Sequence, residues 1–184
     1  MDTRRTPSRA RPIVALAAAG MLAGCAGGGA GGPEGFELAN IAESNIVPKS
    51  SPAQFVGAFA RFCLDTAEAD RPAALRGADY VPFAPVRAAS RVRTFVVDDR
   101  RPAVMLWGGG NCAVAAEART GQSARTARLI AERFPAARPV DPARIGPSIE
   151  AAWLSRPGGP VLATFRIVRP GMPSRHALAI LNDS

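Results

Sequence analysis

Three features of this 184-residue chain predict an α+β fold in which a mostly antiparallel sheet of five or six strands carries two helices on one face. Two stretches space their apolar residues at helical intervals. Several others alternate or run β-branched and aromatic, and the turns between them are hairpin-length and rich in glycine and proline. Helices with a single apolar side can cover one face of such a sheet, which gives a two-layer sandwich.

The first helix is announced at Ser51, a good N-cap, with Pro52 at the first helical position and Gln54 completing a capping box. Phe55, Ala58, Phe59, Phe62 and Cys63 then fall on one apolar face, and the helix is expected to stop near Glu68. Residues 70–90 lack period and read as loop, with Tyr80-Val81-Pro82-Phe83 an apolar island tucked over the core edge. Strands are predicted at Arg93–Val97, Ala103–Trp107 and Cys112–Ala118, joined by Asp98–Pro102 and by Gly108-Gly109-Gly110-Asn111. The run Val104-Met105-Leu106-Trp107 suggests a central strand covered on both sides. The glycine cluster is read as a hairpin turn, since no Gly-Lys-Ser/Thr follows and it joins strands instead of opening a helix.

A second helix is predicted over Gln122–Phe134, with Ala127, Ile130, Ala131 and Phe134 on its apolar side. The proline-rich stretch Ala136–Pro147 reads as a surface connection. Strands at Ile149–Leu154, Val161–Val168 and Arg175–Leu181 close the chain. The middle one alternates, with Val161, Ala163, Phe165 and Ile167 on one face and Thr164 and Arg166 on the other. Helix, three strands, helix, three strands is an order that hints at duplication, without a repeat at the level of residues.

Ahead of the folded part stands a different kind of sequence. Arg4, Arg5, Arg9 and Arg11 precede the apolar run Ile13–Leu22, and Ala23 and Gly24 lead to Cys25. The run is about half the ~20 residues a helix needs to span a bilayer, which suits a signal segment and not a permanent span. Residues 1–25 resemble the type II signal peptide of bacterial lipoproteins, with Leu22-Ala23-Gly24-Cys25 as the lipobox. That resemblance implies diacylglyceryl transfer to the Cys25 sulfur, cleavage before Cys25 and acylation of the new N-terminus, palmitate being a typical chain. Two or three acyl chains are what stable anchoring requires. Ala26 after the cysteine favours the outer membrane, with the domain facing the periplasm.

The expected organisation is therefore signal peptide at 1–24, lipidated cysteine and tether at 25–50, and one α+β domain at 51–184. Ala26–Gly35 is a flexible linker by composition, and Phe36–Lys49 is weakly apolar without clear period, a stretch expected to lie along the domain. Cys25 belongs to the lipid, which leaves Cys63 and Cys112. An even pair in an oxidising compartment is expected to form a disulfide, both residues having faces that point into the same layer.

The formal charge is +8, partly from the leader, and an exported chain meets lipid head groups and cell-wall polymers before any nucleic acid. The arginines Arg87, Arg91, Arg93, Arg100 and Arg101 are the candidates for an anionic envelope component. No cofactor or metal-ligand spacing stands out, and no catalytic residue is assigned. His176, with Ser174 beside it and Asp98 or Asp99 as possible acids, lacks any framing motif. The sequence thus favours a non-enzymatic binding or adaptor module held at the membrane. The alternative is a cell-envelope hydrolase working through Asp and Glu residues or His176.

Overall fold

A computed structural model describes residues 48–83, 91–168 and 173–182 of the chain. The leader, Cys25, the tether up to Val47 and Arg87 lie outside these described residues.

Eight strands form one antiparallel sheet: β1 (Val81–Phe83), β2 (Arg93–Val96), β3 (Ala103–Trp107), β4 (Asn111–Glu117), β5 (Arg138–Val140), β6 (Ile149–Leu154), β7 (Val161–Ile167) and β8 (Arg175–Leu181). Their spatial order is β1-β2-β3-β4-β8-β7-β6-β5. Helix α1 (Pro52–Phe59) runs on into a π-helical turn over Ala60–Leu64. A 3-10 turn (Glu68–Asp70) leads into α2 (Arg71–Arg76), and α3 is Gln122–Arg133.

The α+β class holds, and the sheet is larger than expected. Two of its eight strands, β1 and β5, arise where the sequence reads as an apolar island and a surface connection. Each is a three-residue edge strand with a proline in the middle, Pro82 opposite Phe95 and Pro139 opposite Trp153. Proline has no N–H to give a ladder, so it is confined to edges, and its presence argues against a strand in any sequence reading. Helix α2 is the other addition, formed inside the stretch predicted to be loop.

Helix α1 starts as its residues dictate. The Gln54 N–H donates to Ser51 Oγ at 3.2 Å while the Ser51 N–H donates to Gln54 Oε1 at 3.2 Å, a reciprocal capping box. Phe55, Phe59, Phe62 and Cys63 bury the predicted face. They pack on Phe95, Val104, Leu106, Cys112, Val114, Ala116, Leu162, Leu178 and Ile180, joined by Leu75 of α2 and Ile130 of α3. Register pairs such as Val104–Val114, Val114–Leu178 and Leu178–Thr164 put the residues from β3, β4, β8 and β7 on one side of the sheet. The clustered large side chains of the core therefore lie between the helices and one side of the sheet.

Two expectations are corrected here. Helix α3 buries Gln122, Thr126 and Ile130, while Ala127 and Ala131 are exposed. The small alanines marked the wrong side because Gln122 is spent on the backbone: its Nε2 donates to Glu117 O at 2.9 Å and its Oε1 accepts the Arg119 N–H at 2.8 Å. Strand β3 buries only Val104 and Leu106, and Ala103, Met105 and Trp107 on its other face are partly exposed.

Candidate functional site

Cys63 and Cys112 are joined by a disulfide, with their Cα atoms 5.4 Å apart. Both are buried in the core. The same corner is tied by Arg71, whose guanidinium is buried without a hydrogen-bonded carboxylate among the described residues. Its Nη1 donates to Gly110 O at 2.7 Å, Nη2 to Cys63 O at 2.9 Å and Nε to Thr66 O at 3.3 Å. Burial pulls this guanidinium below its ordinary value and Glu68 opposes the shift. Glu68 in turn accepts the Gly110 N–H at 2.8 Å. Gly110 has φ +74°, and a Cβ there would stand 2.8 Å from Glu68 Oε2. The glycine turn is thus fixed by a carboxylate and a guanidinium, neither visible as a partner in the sequence. With each sulfur bonded to the other, neither cysteine is a nucleophile.

His176 lies in β8, buried to 1% exposure, with its ring 5.4 Å from that of Phe55. Its acidic neighbour is Glu150, not Asp98 or Asp99. Glu150 Oε2 stands 3.2 Å from His176 Nδ1, off the direction of a hydrogen bond, and Glu150 Oε1 accepts from Arg166 Nε. Nε2 of His176 has no hydrogen-bond partner among the described residues. Burial lowers the imidazole below its ordinary value, Glu150 works against that and Arg166 adds to it. A neutral imidazole packed behind a phenylalanine is placed for packing, not for proton transfer to a substrate.

Asp98 is engaged elsewhere. Its Oδ1 accepts the N–H groups of Arg100 and Arg101 at 2.8 and 2.7 Å, and its Oδ2 accepts Arg101 Nε at 2.8 Å. Burial raises its carboxyl, but these bonds together hold it below the usual range. Arg101 also donates to Ala78 O and sits over the ring of Tyr80. Tyr80 itself is pushed up to about 12, chiefly by burial, and donates to Pro102 O at 3.1 Å. The candidate basic patch is consequently divided. Arg91 and Arg93 stand at the start of β2, Arg100 and Arg101 beyond its end, and Arg101 is already paired.

The most extensive chemical feature is the sheet face turned away from the helices. Alternation and register place on it Val81, Phe83, Val96, Met105, Trp107, Ala113, Ala115, Ala177, Ala179, Val161, Ala163, Phe165, Ala152 and Leu154. In β7 this is the more apolar of the two residue sets named from the alternation, so that strand shows its greasier side to the outside of the core. None of these residues belongs to the core under the helices. The centre is floored by alanines, and larger side chains such as Trp107, Phe165 and Leu154 stand around them. Among the described residues, charge enters at the margins, through Glu117 opposite Arg175 and through Arg138 on β5.

No known protein family, curated protein or solved structure matches this chain.

No group of three or more His, Cys, Asp or Glu side chains is arranged to hold a metal ion among the described residues. None of their helices is long and apolar enough to cross a membrane.

Proposed function

We propose that the chain is an envelope lipoprotein, anchored through lipid on Cys25 at the outer membrane, whose two-layer α+β domain is a non-enzymatic binding module. The observation that carries the reading is the apolar sheet face opposite the helices. The face carries no central charge among the described residues, and its larger side chains Met105, Trp107, Phe165 and Leu154 are partly exposed; a contiguous apolar patch rimmed by polar residues marks an interaction site. The burial of His176 behind Phe55 and the oxidation of both core cysteines favour binding over the hydrolase alternative. The partner is an envelope protein or other envelope component offering apolar surface. The separated arginines give less support to an anionic one.

Recovery of the anchored protein from detergent-solubilised membranes tests this. The expected result is a partner that survives high salt, because apolar contact is not screened. It should be lost in the sheet-face variant Met105→Asp/Phe165→Asp, which leaves the helix-side core intact. Identical recovery with wild type and variant would sink the reading. So would turnover of a cell-wall polymer abolished by His176→Ala or Glu150→Gln. The anchor is checked in the same preparation: Cys25→Ser should leave uncleaved or lipid-free protein that no longer labels with palmitate.

A further inference from the structure

A second tie spans the gap that the disulfide closes. Arg71 donates through Nη2 to Cys63 O, on one of the bonded cysteines, and through Nη1 to Gly110 O, two residues ahead of the other. Glu68 accepts the N–H of the same Gly110. Both polar groups of Gly110 are therefore held by side chains of the stretch that follows the helical turn carrying Cys63.

The chemistry of this clamp makes it costly to open. The last carbonyls of a helix have no partner within it and favour a nearby cation. Cys63 O, one residue from the end of the π-helical turn, is such a carbonyl. Arg71 is 8% exposed. A guanidinium buried so far loses more than an ordinary hydrogen bond when its acceptors move away, since its charge is then neither hydrated nor paired. Glu68 lies on the exposed side of the clamp, and it comes this close to the turn because position 110 has no Cβ.

Each cysteine is also placed by its own element. Cys112 stands between Leu106 of β3 and Ile180 of β8 in the sheet register. Cys63 shares the buried helix face with Phe55, Phe59 and Phe62. Their Cα atoms, 5.4 Å apart, have the ordinary separation of a bonded pair. Two ties across one gap are not independent. Each, once made, holds the segments together for the other, and the second then forms at a high effective concentration. Coupling of this kind is reciprocal.

We propose that Arg71 and Glu68 are positioning residues for a reversible redox latch: the clamp keeps Cys63 and Cys112 in bonding register while their bond is open, and so favours its closure. The latch is independent of any binding at the outer sheet face. With a small disulfide as oxidant, one cysteine thiolate attacks it to give a mixed disulfide, and the other cysteine displaces the reagent's second sulfur. The pair loses two electrons and two thiol hydrogens, and the reagent leaves as thiols. Both sulfurs are buried, so the exchange passes through a local opening of the corner.

The test is the equilibrium of the full-length protein, in detergent, with buffers of oxidised and reduced dithiothreitol. The oxidised fraction is read by acid quench, alkylation and mass spectrometry of the peptides carrying Cys63 and Cys112. Arg71→Met should lower the equilibrium constant for closure roughly tenfold or more, and Glu68→Ala, at an exposed position, severalfold. Arg166→Met, which breaks a partly exposed ion pair with Glu150 in the other half of the sheet, should leave it unchanged. A constant equal to wild type in Arg71→Met or in Glu68→Ala would overturn the proposal. So would an equal fall in Arg166→Met, which would trace the effect to general stability. Should Arg71→Met fail to fold, Glu68→Ala decides. The converse arm uses Cys63→Ala/Cys112→Ala, in which the Gly110 N–H should stay protected from hydrogen exchange because the clamp stands without the bond. Exchange there at the rate of an unfolded chain, with the amides of β7 and β8 still protected, would show that the bond makes the clamp, and would also overturn the proposal.

Discussion

Cys63 and Cys112 close a loop with a sequence separation of 49 residues. The chain-entropy estimate for such a loop is about 4 kcal/mol, a large share of the ~5–15 kcal/mol typical of a domain. Both thiols should therefore be absent from titration of the unfolded, unreduced protein. Urea unfolding should show stability falling by ~2–4 kcal/mol after reduction. His176 supplies a pH dependence of defined sign. Its folded-state affinity for a proton is lowered by burial, so the unfolded chain binds that proton first as pH falls through the ordinary histidine range. Stability should be level above that range and decline below it. His176→Gln should flatten the decline, and an unchanged slope in urea titrations across pH 5–7 would refute the assignment. The cysteine pair was legible because compartment and face suffice to suggest it. Glu150 was not, because a register shift between Ile149 and Ala151 interrupts the alternation that would have located it.

At the level of elements, the strands readable from sequence were those whose pattern is local. Ala103–Trp107, Ile149–Leu154 and Arg175–Leu181 have the bounds their residues suggest. Strands β1 and β5 exist only because β2 and β6 offer them a partner, and their prolines conceal them. Those same prolines have a use. Each outer strand is three residues long and interrupted where an N–H would otherwise be, which blunts the two edges as templates for another chain. Pro82→Thr/Pro139→Thr should restore the missing donors and promote association of the unlipidated protein. Light scattering after size-exclusion chromatography would register it. A variant in the same association state as its parent would show that edge length alone provides the protection. Helix α3 carries a complementary lesson. Its buried row of Gln122, Thr126 and Ile130 follows helical spacing, but amide and hydroxyl groups conceal a buried row when only apolar residues are counted.

Over the whole molecule, the order β1-β2-β3-β4-β8-β7-β6-β5 reads the same from either edge inward. Each half is a helical segment followed by a four-stranded meander, and the halves meet along their last strands, Cys112 beside Ile180 and Glu117 beside Arg175. The duplicated element order visible in the sequence is thus a spatial arrangement too, although the halves differ in their residues. The apolar outer face was only half legible. Alternation in Val161–Ile167 separates the two sets correctly but does not say which set the helices will choose. The seam between β4 and β8 has a consequence in time. A polypeptide emerging from its N-terminus can finish α1, α2 and β1–β4 early, yet β4 keeps a bare edge until residues 175–181 arrive. Of the eight strands, the last in chain order occupies the middle beside β4. Joining the two meanders requires β4 to meet β8, a pairing between residues 111–117 and 175–181, and long-range closures of this kind slow folding.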